Sequence, residues 1–165
     1  MPVGEVGEIA LQNAAVMLGY RNLPAETEAA LANGWLHTGD MARQGDDGLL
    51  YIVDRKKDMI ISGGFNIYAS EVERALTEHP SISSAAAIGV PDARWGEMVT
   101  AFVVARPGKQ IDVAAVQAHV KQVKGSLYAP KEIVVVESLP VTNVGKVDKK
   151  ALRAPYWGDS GRNVH

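Results

Sequence analysis

A lysine on a glycine-flanked loop is the side chain in this sequence best suited to act on a substrate bound elsewhere. Lys146 follows Gly145 within the stretch Leu139–Val147. Glycine lacks a Cβ and leaves the backbone free, so such a loop can reach into a site on another domain. The ammonium group could there stabilise negative charge that develops in a transition state. The alternative is an ordinary surface lysine, which is the common fate of this residue type.

A charged run separates the apolar segments Leu49–Val53 and Met59–Ile61. The run, Asp54–Asp58, contains two acids and three bases. It fits either a solvated turn or a hinge between two bodies. The segment Ser62–Gly64 follows, and its two glycines would let a narrow ligand pass close to the backbone. This segment lacks the lysine and Ser/Thr ending of a phosphate-binding P-loop.

The composition is typical of a soluble globular protein and argues against several function classes. Apolar residues make up 47% and charged residues 22%, and the formal net charge is −2. Nucleic-acid-binding proteins usually carry a strong basic excess, which this charge does not show. No apolar run approaches the roughly 20 residues needed to cross a bilayer. The sequence has no cysteine and four scattered histidines, so we predict no disulfide, no metal site and a cytoplasmic location.

The first 54 residues have the pattern of short strands and turns around one helix. Asp46-Asp47-Gly48 is a strong hairpin signal between two strand-like runs. We expect this β-rich part to be too small to bury a core alone. The predicted elements are the strands Gly7–Gln12 and Ala15–Tyr20, the helix Pro24–Ala32, and the strands Trp35–Ala42 and Leu49–Val53.

From Met59 onward the pattern becomes strand, helix, strand, strand, helix, strand. This order predicts a small α+β domain, β-α-β-β-α-β, with helices packed on a sheet. Ser70 and Glu73 have capping-box spacing at the first helix, and Asp112 can cap the second. The predicted elements are Met59–Ile61, a helix from Ser70 to about His79, strands Ser84–Val90 and Met98–Arg106, a helix with Val113, Val116, Val120 and Val123 in the core, strand Glu132–Glu137, and a short helix Val147–Arg153.

Four segments together resemble the adenylate-forming superfamily, which includes acyl-CoA ligases, peptide-synthetase adenylation domains and luciferases. Each segment alone is a weak or moderate signal, but all four occur in the family's order. The resemblance covers nearly the whole chain, to about Ala154. The segments are Val16–Asn22 with Pro24 and Thr27, Gly34–Asp40, Asp54–Tyr68 with Glu71–Glu73, and Leu139–Val147.

The resemblance implies the C-terminal part of an AMP-forming acyl-CoA synthetase, a fatty-acid or other carboxylic acid–CoA ligase. Such an enzyme activates a carboxylate with ATP to acyl-AMP and then forms the CoA thioester. Residues 1–54 would end the large N-terminal AMP-binding domain, and residues 55–165 would form the mobile C-terminal lid domain. The family's phosphate loop and acyl pocket precede these segments, so we expect the chain alone to be inactive. ATP and CoA are the implied substrates, and Mg²⁺ the implied cofactor, with its ligand in the missing domain.

The resemblance also assigns roles to four residues. Lys146 matches the lysine that stabilises charge during adenylation. Asp40 matches an aspartate that accepts hydrogen bonds from the ATP ribose, and Arg55 an arginine that contacts ribose or phosphate. Lys57 falls at the family's hinge position, where backbone torsions change as the lid rotates. The alternatives for the last three are a turn aspartate, a member of a solvated charge run and a plain charged turn.

Four further residues resemble the family's CoA-binding surface. Gly63 and Gly64 match a loop that lines the pantetheine tunnel. Arg94 and Trp95 lie where acyl-CoA ligases often present a basic and aromatic surface to the CoA nucleotide. Packing of Trp95 in the core is the competing interpretation.

Two other kinds of function stay open on the sequence alone. The first is an adenylation domain that loads a carrier protein instead of CoA, or the rarer luciferase-like oxygenase. A downstream carrier domain with a phosphopantetheine serine would favour the former. The second is a non-enzymatic CoA-binding or interaction module, which would be favoured if the native protein began at Met1.

Overall fold

The structure, a computed structural model, describes residues 1–158. It divides into two compact units, the first Met1–Lys57 and the second beginning at Asp58. The predicted domain boundary after residue 54 lies near this division, but the assignment of the two ranges to two enzyme domains stays a prediction. Residues 159–165, which were predicted to belong to the lid domain, lie outside the described residues.

The first unit contains a three-stranded antiparallel sheet and one short helix. In spatial order the strands are β1 (Val6–Leu11), β2 (Leu36–Gln44) and β3 (Leu50–Arg55). Helix α1 (Pro24–Ala30) begins at its proline as predicted, and a 3-10 turn replaces its predicted last residues. The predicted β2–β3 hairpin is confirmed, and Asp47 stabilises its turn by accepting a hydrogen bond from the Leu49 N–H (3.1 Å).

The predicted strand Ala15–Tyr20 is wrong, because nearby side chains take its backbone donors. The carboxamide oxygen of Asn13 accepts a hydrogen bond from the Ala15 N–H (2.7 Å). The hydroxyl of Thr27 accepts one from the Tyr20 N–H (2.9 Å). Such local bonds offer the backbone an alternative to a sheet ladder, and the segment forms turns and bends.

The second unit is built on a five-stranded sheet with β7 at its centre. Strand β6 pairs antiparallel with β7 from Ile82↔Ala105 to Asp92↔Gly96. The other edge of β7 pairs with β4 and, in parallel, with β8. The elements are β4 (Ile60–Ser62), β5 (Phe65–Ile67), α2 (Ala69–Thr77), β6 (Ile82–Asp92), β7 (Gly96–Ala105), α3 (Val113–Lys124), β8 (Glu132–Val135) and α4 (Lys149–Trp157).

Both faces of the β6–β7 pair are buried, because successive side chains of a strand point to opposite faces. On one face, Ala87, Ala101 and Val103 pack with residues of α2 and α3 such as Leu76 and Val116. The opposite face carries a second cluster under α4: Ala86, Ile88, Val90, Phe102 and Leu152. Helices therefore pack on a mostly antiparallel sheet, and the predicted α+β class is confirmed. The predicted first strand of this unit, Met59–Ile61, is instead part of a hairpin formed by β4 and β5.

The predicted capping box at Ser70 and Glu73 is wrong. Helix α2 has Tyr68 at its N-cap and no side-chain cap. The Glu73 carboxylate instead accepts a hydrogen bond from the Ala87 N–H of β6 (2.8 Å) and pairs with the Lys149 ammonium (2.7 Å). Glu73 therefore contacts residues of β6 and α4 instead of the N-terminus of its own helix. At α3 the predicted cap is confirmed, since Asp112 accepts from the Ala115 N–H.

The predicted core position Val123 is also wrong. Val116 and Val120 are fully buried, but Val123 is 46% exposed. Helical spacing places all three on similar sides of α3. Burial also requires a packing partner on that side. Val123, two residues before the C-cap Gly125, faces solvent, although its neighbour Lys124 pairs with Glu71 of α2 (3.3 Å).

This difference predicts unequal costs for the same substitution in one helix. Val120→Ala should destabilise the chain by about 2 kcal/mol more than Val123→Ala, because only the first opens a cavity and loses buried methyl groups. The gain in helix propensity is common to both and cancels. Urea unfolding of the two variants measures the difference, and equal midpoints would contradict the assigned core.

Candidate functional site

Asp40 and Arg55 face each other across the β2–β3 pair. The register places them opposite one another, and Arg55 Nε lies 2.7 Å from Asp40 Oδ1. Their side chains are 26% and 54% exposed, respectively, so solvent and solutes can reach both. A carboxylate has two oxygens and about four acceptor sites, which leaves Asp40 capacity to accept hydrogen bonds from a diol.

Glu8 supports this region, although no sequence motif predicted it. Its carboxylate accepts hydrogen bonds from the Gly39 N–H (3.0 Å) and the Lys56 ammonium (3.3 Å), and lies 3.3 Å from His37 Nδ1. Burial by itself raises the pKa of Glu8, but these hydrogen bonds outweigh it and lower that pKa overall. Glu8 thereby holds the backbone just before Asp40. Only its position opposite β2 reveals this role.

Gly63 and Gly64 form the two-residue turn between β4 and β5. Both have positive φ, 59° and 82°, which suits glycine at the tip of a tight hairpin. The Gly63 N–H donates to the carbonyl of Trp95 (2.8 Å). A Cβ built at Gly63 would lie 2.8 Å from the Trp95 ring, whereas one at Gly64 would meet nothing within 4 Å. The turn of β4–β5 thus rests directly on the turn of β6–β7.

Arg94 and Trp95 lie in that second turn, which Asp92 organises. The Asp92 carboxylate accepts hydrogen bonds from the Arg94 N–H (2.9 Å) and the Trp95 N–H (2.8 Å). The Arg94 guanidinium carbon lies 4.6 Å from the Trp95 ring centroid, a cation–π geometry. Trp95 is 43% exposed and belongs to neither hydrophobic core cluster.

A cleft of about 310 Å³ opens beside Gly63 and Trp95. Part of its apolar wall, including Met98 and Val99 of β7, lies outside the four segments that carry the family resemblance. Phe65, directly after the glycine turn, is 60% exposed and lies at the wall of the cleft. Lys131 supplies a cation at the wall. The other lining residues are Ser62, Met98, Val99, Ser126, Leu127 and Ala129.

The loop that carries Lys146 is a small hairpin with a hydrogen-bonded backbone. Val141 and Val147 form an antiparallel bridge at its base. Thr142 donates its N–H to the Lys146 carbonyl (2.7 Å), and its own carbonyl accepts from the Gly145 N–H (2.8 Å). Its hydroxyl accepts from the Lys146 N–H (3.3 Å). Gly145 has φ of 78°, so the turn needs glycine there.

The Lys146 ammonium is exposed and, within residues 1–158, makes no hydrogen bond or ion pair. A nearby lysine behaves differently: Lys149 is 16% exposed and pairs with Glu73. Lys57 is exposed and lies in a 3-10 turn, Lys56–Asp58, at the division between the two units. No group of three or more His, Asp or Glu side chains among the described residues could hold a metal ion. None of the helices in this range is long and apolar enough to cross a membrane.

Comparison with known proteins places this arrangement in a family. Residues 71–146 match the family described as AMP-binding enzyme C-terminal domain. The medium/long-chain-fatty-acid–CoA ligase FadD8 of Mycobacterium tuberculosis is 52% identical over 98% of this chain and 29% of its own length. The chain belongs to the adenylate-forming superfamily. The family-model match, residues 71–146, falls within the range predicted for the C-terminal domain.

Other members of the superfamily align over a similar range. The fatty acid–[acyl-carrier-protein] ligase ScoC of Streptomyces coeruleorubidus is 40% identical over 100% of the chain and 32% of its own length. The solved structure of the amide bond synthetase McbA from Marinactinospora thermotolerans superposes with a TM-score of 0.85 at 40% identity, covering 94% of this chain and 32% of that one. The chain thus spans about 30% of the length of the relatives it matches.

The contact between Gly63 and Trp95 predicts a difference between two neighbouring glycines. Alanine strains the left-handed backbone at either position by about 1–2 kcal/mol. Gly63→Ala should cost about 1–3 kcal/mol more than Gly64→Ala, because its methyl group also displaces the Trp95 ring. Denaturant unfolding measures the cost, and the indole N–H resonance of Trp95 should shift only in Gly63→Ala. An unchanged indole resonance in that variant would contradict the contact.

Proposed function

We propose that this chain is the lid-bearing part of an acyl-CoA synthetase that activates a carboxylic acid with ATP and transfers it to CoA. The observation that carries the proposal is the Lys146 ammonium, exposed and unpaired among the described residues, on a hairpin whose backbone is firmly bonded. A lysine held this way is prepared to serve a site outside its own unit. FadD8 and ScoC are both named for fatty acids, which supports a fatty acid as the substrate.

In the first half-reaction, the substrate carboxylate attacks the α-phosphorus of ATP and pyrophosphate leaves. Two anions meet, and negative charge grows on the phosphoryl oxygens. A cation held at this centre stabilises the transition state more than the separated reactants. At about 4 Å and an effective dielectric constant near 20, one charge pair contributes roughly 4 kcal/mol. We assign this cation to Lys146.

Asp40 and Arg55 would bind the nucleotide during this step. The Asp40 carboxylate would accept hydrogen bonds from the ribose hydroxyls, and the Arg55 guanidinium would contact ribose or phosphate. Their 2.7 Å ion pair supports a shared task, because each orients the other without burying it. Glu8 would act through them, by holding the backbone at Gly39. The implied Mg²⁺ would neutralise charge on the phosphates, and its ligand is expected in the N-terminal domain.

In the second half-reaction, the thiol of CoA attacks the acyl carbonyl and AMP leaves. The cleft beside Gly63 and Trp95 has a largely apolar wall, which suits a pantetheine arm. Gly64 would add no side chain at the turn that the arm passes. Trp95 could stack on the adenine of CoA, and Arg94 and Lys131 could face its phosphates.

The two half-reactions need different surfaces of the second unit, and Lys57 would be the hinge between them. Its position at the division between the units supports this role. Rotation there would first bring Lys146 to the nucleotide and then the cleft beside Gly63 and Trp95, here called the thiol cleft. A few residues at such a link can absorb the torsional change while both bodies stay rigid.

A carrier-protein thiol is the second candidate acceptor. The similarity to ScoC, over the full length of this chain, favours it. The two acceptors share the pantetheine arm, so the cleft alone does not separate them. They differ in the group to which the arm is attached, which is an adenine nucleotide in CoA and a protein surface in a carrier. The exposed Trp95 and its adjacent cations favour the nucleotide.

The role of Lys146 predicts selective loss of one half-reaction. In the full-length enzyme, Lys146→Ala should slow acyl-AMP formation by about 100- to 1,000-fold, because a transition-state contact is lost. Thioester formation from supplied acyl-AMP should stay within a few-fold of wild type. Pyrophosphate release and acyl-CoA production measure the two steps. Lys150→Ala is the matched control, an exposed lysine that should tolerate the change. Equal loss of both steps would reject the assignment.

In this proposal the phosphate loop and acyl pocket lie in the large N-terminal domain, so residues 1–165 alone should have no ligase activity. Incubation with ATP, CoA and a panel of fatty acids should release no pyrophosphate above background. The full-length enzyme, assayed in parallel, serves as the positive control. Clear turnover by residues 1–165 would show that these residues contain a complete catalytic site.

A further inference from the structure

Helix α4, which follows the Lys146 hairpin, is attached to its unit by buried polar contacts as well as by Leu152. Arg153 Nη2 lies 2.7 Å from Asp58 Oδ1, and the two side chains are only 13% and 14% exposed. Burying two charges is costly unless they pair closely, so this contact is not a by-product of surface crowding. The ion pair joins residues 95 positions apart in the sequence.

One residue of this ion pair lies next to the proposed hinge, Lys57, and the other lies in the helix that follows Lys146. Asp58 is the first residue of the second unit and follows Lys57 directly. Arg153 lies in α4, which begins three residues after Lys146. Two hydrogen-bonded contacts hold the segment between Lys146 and α4. The Asp148 N–H donates to the Pro140 carbonyl (2.8 Å), and the Asp148 side chain caps α4.

We propose that Arg153 is a positioning residue, which ties the helix behind Lys146 to the residue that follows the hinge. This inference rests on the proposed function, in which Lys57 is the hinge and Lys146 acts in adenylation. Through the ion pair, a rotation at Lys57 carries α4 and its hairpin as one body. Without it, α4 keeps its contacts with α2 and β6 but loses its tie to Asp58, so it can shift relative to the hinge and Lys146 arrives misplaced.

The other contacts of α4 do not replace this one. Lys149 pairs with Glu73 (2.7 Å), which anchors the start of the helix to α2. The Trp157 indole N–H donates to the Gly89 carbonyl (2.9 Å), which anchors its end to β6. Among these contacts, the pair of Arg153 with Asp58 is the one that reaches the start of the second unit.

The thiol cleft should be insensitive to this ion pair. Its lining residues lie on the β4–β5 hairpin, the β6–β7 turn, the start of β7 and the segment between α3 and β8, and none lies in α4, although Met98 packs against the cluster that contains Leu152. Loosening α4 should therefore impair delivery of Lys146 and leave the CoA surface intact. A purely structural role would instead lower both half-reactions together with stability.

The test compares four variants of the full-length enzyme. Arg153→Met removes the link and leaves a buried carboxylate without its partner. Asp58→Asn/Arg153→Met also removes that charge, which should restore much of the thermal stability while the link stays broken. In Arg153→Lys one cation remains, which suffices because the ion pair uses a single guanidinium nitrogen and Nε has no partner among the described residues. Arg74→Met is the control, since Arg74 and Glu78 form an exposed pair.

The half-reactions and the melting temperature are measured for each variant, with Lys146→Ala in parallel. Arg153→Met and the double variant should both lose about 10- to 100-fold in acyl-AMP formation, the scale of a misplaced catalytic group. Thioester formation from supplied acyl-AMP should change less than about twofold in each. Arg153→Lys should recover most of the adenylation rate, and Arg74→Met should match wild type.

Recovery of adenylation along with stability in the double variant would overturn the proposal, because stability alone would then explain the loss. Equal effects on both half-reactions in Arg153→Met would overturn it too. If Lys146→Ala itself shows no selective loss, the proposed function fails first. Selective loss in Lys146→Ala with none in either Arg153→Met variant rejects the positioning role alone.

Discussion

The pairing of β6 with β7 is the constraint on which the second unit depends. Both strands are buried on both faces, so their register cannot slip without moving every inward side chain to the wrong layer. The helices α2 and α3 cover one face and α4 covers the other. The turn between the two strands carries Arg94 and Trp95, and β7 also pairs with β4 and β8. The thiol cleft and the support of Lys146 are therefore set by one ladder.

The distribution of charge separates the groups that hold the fold from those proposed to serve the chemistry. Glu73 with Lys149 and Asp58 with Arg153 are low-exposure pairs that join distant elements of one unit. Lys146 lies on a loop whose backbone is held by several hydrogen bonds, yet its ammonium is exposed. A cation that faces solvent is available to a second body, whereas a paired one is not. In the first unit, Asp40 and Arg55 are intermediate, paired but accessible.

The wrong predictions share one physical cause. Ser70 and Glu73 have the spacing of a local cap, but Glu73 found stronger partners on β6 and α4. The spacing of Val123 is that of a buried helix face, but its side chain at the end of α3 is 46% exposed. Ala15–Tyr20 has strand-like residues, but Asn13 and Thr27 captured its backbone donors. In each case the short-range pattern expressed a propensity, and the surroundings of the side chain or backbone, local or distant, decided the outcome.

The sequence by itself determined the family, the α+β class, the order of most elements and the candidate residues Asp40, Arg55, Lys57, Gly63, Gly64, Arg94, Trp95 and Lys146. These follow from residue types at fixed short spacings, which a linear chain displays directly. Only the tertiary structure decided that Glu8 supports Asp40, that Phe65 lines the cleft and that Arg153 meets Asp58. Such contacts join residues tens of positions apart, and no local pattern encodes which of many possible partners the packed sheet brings within reach.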